Sequence, residues 1–412
     1  MAVTHRAGNR ELSEYVRRLS RRDFLSLSIA GLASLTIPEL IAACGNQTPT
    51  GSTTTLGLRY ILALTGPSGA AINTGLINGT NLAVKHVNDA GGVADQKGNR
   101  FKFDFTKADS TNDPNQGIAL LRQAAADPSI IAVGGLIPSN IFVPMVPVGA
   151  QVKIPMVASG ALSAVAQWNE WVYRVNPVIS TGAPVFYKTL VPKLGLHKIA
   201  VIYDQTNGAQ KGDAEILKSL APSLGVTVDP YIAFTSPQSD FSGQVAQVKA
   251  ANPDALVVAA QVGDGITLVN QLHAAGSNPV LLTNSGAFLQ GPFWDGTKGS
   301  LKGSYTWVQG DIASATGKLK QLTDAYAAAY PGVSLEFGGL NGYDTVQAIV
   351  GAISQSTNGS DRSAVRKAMS NLKYTSESGT VLTFKNPPTG DNLTATVQVV
   401  QVVGRTQSAP VT

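Results

Sequence analysis

Histidines, cysteines, glycine-framed serines and paired acids are the usual makings of catalytic and metal sites, and their spacing here argues against both. The serine in GPSGA, residues 66–70, lacks the G-x-S-x-G spacing of a nucleophile elbow. A phosphate-binding P-loop needs a glycine five residues ahead of Gly317-Lys318, and Ile312 stands there instead. Beyond residue 44 the histidines are His86, His197 and His273, scattered singly, and each is expected at a surface or a helix end. Asp109 and Asp113 are too few for an EF-hand loop and suit a turn and a helix cap. Cys44 is the lone cysteine, so no intramolecular disulfide can form and no thiolate remains downstream for metal. The expectation is a protein that is not an enzyme and that carries no cofactor and no metal.

Composition narrows the partners. At 412 residues with 43% hydrophobic content the chain can fill two cores. Only 14% of residues are charged and the formal net charge is +5. Residues 1–43 hold six arginines and four acids, so the remainder carries only +3. That is too mild a balance for a nucleic-acid partner.

The N-terminal region has its own logic. SRRDFL places Arg21 and Arg22 just ahead of an apolar run of about 14 residues, Phe24–Ile37. A spanning helix needs about 20, so the run reads as the core of a cleaved export signal. Ser20, Arg21, Arg22, Phe24 and Leu25 resemble a twin-arginine (Tat) export signal, with Ser26 where that pattern often has Lys. An ordinary basic n-region is the alternative. Small residues precede Cys44 in LIAAC, as a lipoprotein signal peptidase accepts, so Cys44 is the expected lipid attachment site. The expected order is a Tat-type lipoprotein signal over 1–43, then a flexible tether over 44–55, GNQTPTGSTTT following the cysteine. The protein would then be exported and lipid-anchored on the extracytoplasmic side of the membrane.

From Leu56 on, short β-branched runs alternate with helical patterns. Strands are expected at 58–64, 101–107, 130–134, 155–159, 198–204, 226–234, 255–260 and 279–283. Leu76, Thr80, Ala83 and Val87 recur at helical spacing, Asp113-Pro114 makes a helix start, and Gly195, Gly225 and Gly276 close helices. Repeated strand–helix–strand units predict α/β lobes, each a mostly parallel sheet flanked by helices.

Several stretches then occur in a recognisable order: LALTGPSGA (62–70), NGTNLAVKHVNDAGGV (78–93), DSTNDPNQG (109–117), AVGGLIPSN (132–140), IPMVASGALS (154–163), YRVNP, KIAVIYD and GGLNGYDTVQAI (338–349). In these the chain, from Leu56 to Val403, resembles the branched-chain amino-acid (leucine/isoleucine/valine) type of periplasmic solute-binding protein that serves ATP-binding-cassette transporters. The resemblance implies a two-lobed type I periplasmic binding protein fold with three crossovers. Lobe one would comprise 55–176 plus 309–383 and lobe two 177–308 plus 384–412. Hinges would fall at Arg174–Asn176, Trp307–Gln309 and Val381–Lys385. The implied role is capture of a small-molecule solute by a monomer and delivery to a membrane permease; a ligand-sensing module of the same fold that signals to a partner protein is the alternative.

The resemblance also implies where a ligand would sit. Hydroxyls and backbone N–H groups after two lobe-one strands would hold a carboxylate, which singles out Ser139 and the run Ser159, Gly160, Ala161 and Ser163. For Ser139 a plain N-cap of the following helix is the competing role. Where the family reads S-P-G-A-T this chain reads A-S-G-A-L, so Leu162 replaces a hydroxyl. On the lobe-two side, Asn207 stands next to Gly208 where the family tends to have an aromatic. The segment expected to carry an acid for a ligand ammonium reads NSGAF, 284–288, which offers Ser285 but no acid. Asp264, at the head of a helix, is the candidate substitute, with helix-dipole stabilisation as its alternative role. These departures widen the expected solutes from branched-chain amino acids to related amides and carboxylates.

Overall fold

The computed structural model describes residues 53–65, 69–310 and 312–411. Arg21, Arg22, Cys44 and the expected tether as far as residue 52 lie outside those residues. Strands β1 (Thr53–Leu62), β2 (Val93–Ala94), β3 (Arg100–Asp109), β4 (Ile130–Ile137), β5 (Met156–Ala158) and β6 (Val172–Arg174) form one sheet in the order β2-β3-β1-β4-β5-β6. All its pairings are parallel except that of β2 with β3. A second sheet takes β7 (Lys198–Asp204), β8 (Thr227–Phe234), β9 (Ala255–Ala259), β10 (Val280–Leu282) and β11 (Tyr305–Gln309). After a hairpin of β12 (Lys373–Thr375) and β13 (Val381–Thr383), the chain adds β14 (Val397–Gly404) and β15 (Gln407–Pro410) antiparallel to its edge.

Each expected strand run is present: central strands such as β4 and β9 are continuous apolar segments covered on both faces, whereas β3 alternates and the edge strand β8 is only partly buried. Trp307–Gln309 forms the last three residues of β11 in the second sheet, and Val381–Thr383 is one arm of the hairpin. Trp307 is wholly enclosed in the second lobe's core with Ile199, Leu217 and Val257.

Helices cover the sheet faces. The first four are α1 (Gly69–Asp89), α2 (Pro114–Ala126), α3 (Ser139–Val152) and α4 (Ile179–Leu194). They are followed by α5 (Gly208–Leu224), α6 (Ser242–Ala251), α7 (Val262–Ala274) and α8 (Gly291–Gly296). The last three are α9 (Gly317–Ala329), α10 (Phe337–Ser354) and α11 (Arg362–Met369). Asp113 caps α2 by accepting from Asn115 N, with Pro114 in the first turn, while Gly195 and Gly225 adopt the left-handed conformation that ends α4 and α5. No helix among the described residues is long and apolar enough to cross a membrane.

α10 is buried along nearly its whole length and runs against α1. The contact is close enough that a Cβ on Gly79 would fall 1.9 Å from the Gly339 carbonyl oxygen. A helix buried on every side is a core element even with Asn341, Asp344, Thr345 and Gln347 among its buried residues, and this one returns the late chain to the first lobe after β11 has joined the second.

The passages between lobes are held by a buried charge. Arg174, at the end of β6, is 1% exposed and meets Asp391 through Nε and Nη2, each 2.7 Å from Oδ1. Its Nη1 donates to the carbonyls of Ala161 and Ser163 at 3.1 and 2.7 Å, and its guanidinium lies over the rings of Phe142 and Trp168. Backbone bonds from Arg174 N to Gly390 O and from Asn392 N to Arg174 O lace the first crossing to the third.

Removing one partner of a desolvated ion pair typically costs about 3–5 kcal/mol, because the other charge stays buried and alone. Asp391→Ala is therefore expected to lower the unfolding free energy by about that amount in chemical denaturation. Arg174→Lys should also destabilise the fold, since an ammonium cannot reproduce the fork that serves Asp391 and two carbonyls. A loss under about 1 kcal/mol for both would mean that the pair behaves as an exposed one.

Candidate functional site

The carboxyl ends of β4, β7, β9 and β10 open onto one cleft between the lobes, about 780 Å³ including its mouth. Crevices form at such places in open α/β sheets because the strand order reverses there and the loops diverge. From the first lobe the walls are Leu76, Ile137 to Ser139, Ser159, Gly160 and Leu162; α10 brings Glu336 to Gly338. From the second they are Asn207, Ala209, Gln210, Ala260 to Val262, Asn284 to Ala287 and Gln290.

Helix starts dominate this lining. The first turns of α3, α5, α7 and α10 all contribute wall residues. Two of these starts are capped from within: Asn207 accepts from Ala209 N and Gln210 N, and Glu336 accepts from Gly338 N and Gly339 N. The starts of α3 and α7 have no side-chain cap. Uncapped first-turn N–H groups, with the helix dipole behind them, attract an anion.

The sequence-derived candidates separate on this geometry. Ser139 lines the cleft, but it does not cap α3; the cap position belongs to Pro138. Its Oγ reaches across to accept from Leu162 N at 3.0 Å and Ser163 N at 3.2 Å, which leaves its own proton to be donated. Ser159 and Gly160 also line the cleft, yet the Ser159 hydroxyl is engaged with Gly135 N and Thr345 Oγ1. Asn207 and Ser285 are wall residues, the amide oxygen of Asn207 being taken by its helix.

Ala161, Ser163 and Asp264 lie outside the lining. The Ala161 and Ser163 carbonyls are drawn back to Arg174, and Asn176 also donates to Ala161 O. Ser163 instead faces α5, where a Cβ on Gly208 would sit 2.9 Å from its Oγ, so the two lobes approach closely there. Asp264 is buried and accepts from Ser236 Oγ at 2.6 Å and Gln238 N at 2.8 Å, which ties down the loop after β8. Its carboxylate is a loop anchor in the first turn of α7, in line with the helix-dipole role.

Residues that sequence reasoning passed over supply much of the polarity. Glu336 is the one acidic or basic side chain among the described lining residues. It is half-buried; burial raises its carboxyl above the usual range, while the Gly338 and Gly339 N–H groups oppose the rise. An acid immediately before the apolar helix FGGLNGYD was the available signal. Gln210, Gln261, Asn284 and Gln290 add amides from the second lobe.

Behind that wall, Asp213 of α5 is fully buried and accepts from Tyr187 Oη at 3.0 Å and Asn284 Nδ2 at 3.2 Å. Burial pushes its carboxyl up to about 6, against the lowering effect of those two hydrogen bonds. An acid within the buried stripe Ala209, Gln210, Ala214 and Leu217 was a legible oddity. Elsewhere, His86 ends α1 with its Nδ1 2.9 Å from Tyr343 Oη, a helix-end position remote from the cleft.

Two α/β lobes, joined by three passages and closed around a polar cleft walled by helix starts, define a type I solute-binding clamp. The chain belongs to the periplasmic binding protein family, whose profile matches residues 58–407. Among curated relatives, the Leu/Ile/Val-binding protein homolog 3 of Brucella melitensis is 28% identical over 334 residues, 80% of this chain and 87% of that one. In fold the chain is similar to the branched-chain amino-acid binding protein LivJ of Streptococcus pneumoniae, solved with isoleucine (TM-score 0.74, 17% identity, 87% of this chain and 99% of that one). It is equally similar to an ABC-transporter solute-binding protein of Rhodopseudomonas palustris solved with 3,4-dihydroxybenzoic acid (TM-score 0.73, 17% identity, 87% and 96%). The family is one of solute-binding proteins rather than enzymes, and its setting is extracytoplasmic.

Asp213 gives a stability signature with a definite sign. Its folded value of about 6 lies above the ordinary 3.8, so the fold favours the neutral form. That contribution is whole below about pH 4 and is lost as pH rises through about 6, a swing of about 3 kcal/mol. Asp213→Asn should therefore gain on the natural protein by up to about 3 kcal/mol between about pH 4 and pH 8, read from denaturant unfolding at both ends. A difference that does not vary with pH would contradict the burial assignment.

Proposed function

We propose that this protein captures a small polar solute, an amino acid or a related amide or carboxylate, between its lobes and hands it to an ATP-binding-cassette permease. The single observation behind this reading is the cleft itself, with uncapped starts of α3 and α7 on opposite lobes and one carboxylate, Glu336, in its lining. An anionic group of the solute would lie against the first turn of α3, with the Ser139 proton donated to it. An ammonium or amide group has Glu336 and the second-lobe amides available. Closure around the solute would form a surface that only the loaded clamp has, which lets a permease tell loaded from empty. That both an amino acid and an aromatic acid are held by proteins of this fold supports a carboxylate as the shared element.

The N-terminal sequence supports Tat-type export guided by Arg21 and Arg22 and a lipid anchor on Cys44, with the clamp working as a monomer at the outer face of the membrane. A lipid chain contributes about 0.8 kcal/mol for each buried CH₂, and stable anchoring takes more than one chain or a second signal.

Calorimetric titration with leucine, isoleucine, valine, leucinamide and 3,4-dihydroxybenzoate tests the solute class; micromolar or tighter binding by at least one is expected. Ser139→Ala should weaken that binding about tenfold, the worth of one charge-assisted hydrogen bond. Unchanged affinity would remove Ser139 from the site. Cys44→Ser should abolish labelling by a radioactive lipid precursor, and paired Arg21→Lys and Arg22→Lys should stop export; normal export would assign the general secretory route instead.

A further inference from the structure

Behind the cleft wall lies one buried carboxylate, that of Asp213. Asp213 does not line the cleft, yet its position decides which atom of a wall residue does. Asn284 donates Nδ2 to Gln210 Oε1 at 2.8 Å and to Asp213 Oδ2 at 3.2 Å. Tyr187 donates its hydroxyl proton to the other oxygen, Oδ1, at 3.0 Å. Gln210 in turn has its Nε2 3.5 Å from Ala260 O, so its Oε1 is the end turned to Asn284.

The two ends of an amide differ only in which accepts and which donates, and the surrounding network sets the choice. An ionised carboxylate can only accept, so Asn284 must direct its NH₂ inward. Its Oδ1, which has no partner among the described residues, is left as the polar atom Asn284 offers to the cleft.

We propose that Asp213 is a positioning residue for solute selection, locking the Asn284 amide so that the second-lobe wall accepts an N–H or ammonium group and disfavours a carboxylate or carbonyl oxygen there. This rests on the solute-capture reading and adds polarity to it: one end of the solute must be a donor. The effect runs through Asn284 alone. Asn284, Gln210 and Asp213 are respectively 2%, 9% and 0% exposed, so an amide flipped the wrong way would face Asp213 with its oxygen in a place water does not relieve.

The groups facing Asp213 are Tyr187 from α4, Asn284 from the loop after β10 and Gln210 one turn earlier on α5, and none of them is charged. Protonation of Asp213 gives it a proton to donate and loosens the lock, which supplies a direct readout.

The experiment uses nitrogen-labelled protein and follows the Asn284 side-chain amide resonance, identified as the one lost in Asn284→Ala. That resonance is expected to shift as pH is taken from about 5 to 8 and to lose the shift in Asp213→Asn. A resonance indifferent to both overturns the proposal. Binding is then compared for leucine and isocaproate, which share a carbon skeleton and a carboxylate and differ by the ammonium. In Asp213→Asn the preference for leucine should fall about tenfold, one hydrogen bond's worth. In an Asn284→Ala background the same substitution should change the preference no further; a full additional loss there would show that Asp213 does not act through Asn284 and would overturn the proposal. If the natural protein binds neither probe, the comparison moves to whichever ligand of the titration panel binds and its analogue lacking the N–H donor, and the amide titration decides the role of Asp213 in either case.

Discussion

A guanidinium that water cannot reach governs how this molecule is put together. Arg174 keeps its charge in any protein environment, so its burial obliges the chain to bring Asp391 and the carbonyls of Ala161 and Ser163 to it. Those partners come from places far apart in the sequence: the third passage between lobes and the loop at the cleft's edge. The rings of Phe142 and Trp168 close over the flat faces. The hinge and the cleft loop are thus not separate features. The cleft-edge segment 159–163 is braced from behind by the same side chain that laces the first passage to the third.

The bracing explains the division of labour in that loop. Its carbonyls face Arg174, its N–H groups at Leu162 and Ser163 face the Ser139 hydroxyl, and only Ser159, Gly160 and Leu162 remain as wall. A loop with its backbone bonds already satisfied does not need to reorganise when a solute arrives. Pre-organisation of this sort reduces the ordering cost of binding, which suits a clamp whose moving parts are the lobes rather than the loops.

Helix starts and the Glu336 carboxylate supply polarity in the cleft lining, and two further acids are buried deeper in the fold. Helix starts contribute fixed positive ends, whereas Asp213 and Asp344 are buried carboxylates on α5 and α10, each raised to about 6 by desolvation. Asp344 accepts from Ser376 and Ser378 and comes within 3.5 Å of Gln309, the last residue of β11, so it too links a lobe-one helix to a passage. Buried acids destabilise a fold at neutral pH, and their retention beside a cleft and a hinge fits the pattern that local costs gather where function needs a fixed orientation.

The eight expected strands, the capped start of α2 and the glycine ends of α4 and α5 were legible from sequence, because periodicity and capping depend on neighbours a few residues apart. Ser139, Ser159, Gly160, Asn207 and Ser285 were legible as wall residues because they follow strand ends, where an α/β sheet opens its crevice. The rest depended on distance in sequence. Asp264 read as a free charge at a helix head, and only the fold brings Ser236 and Gln238 to occupy it. Glu336 entered the cleft because glycine contacts seat α10 against α1, and Asp213 acquired its role from Tyr187 and Asn284, which lie 26 and 71 residues away. Sequence determined which segments became strands and helices, since those follow from local pattern, and its resemblance to the solute-binding family implied the clamp. Which polar atoms face the solute was decided by tertiary structure, because a side chain's free valence is whatever its distant neighbours leave unused.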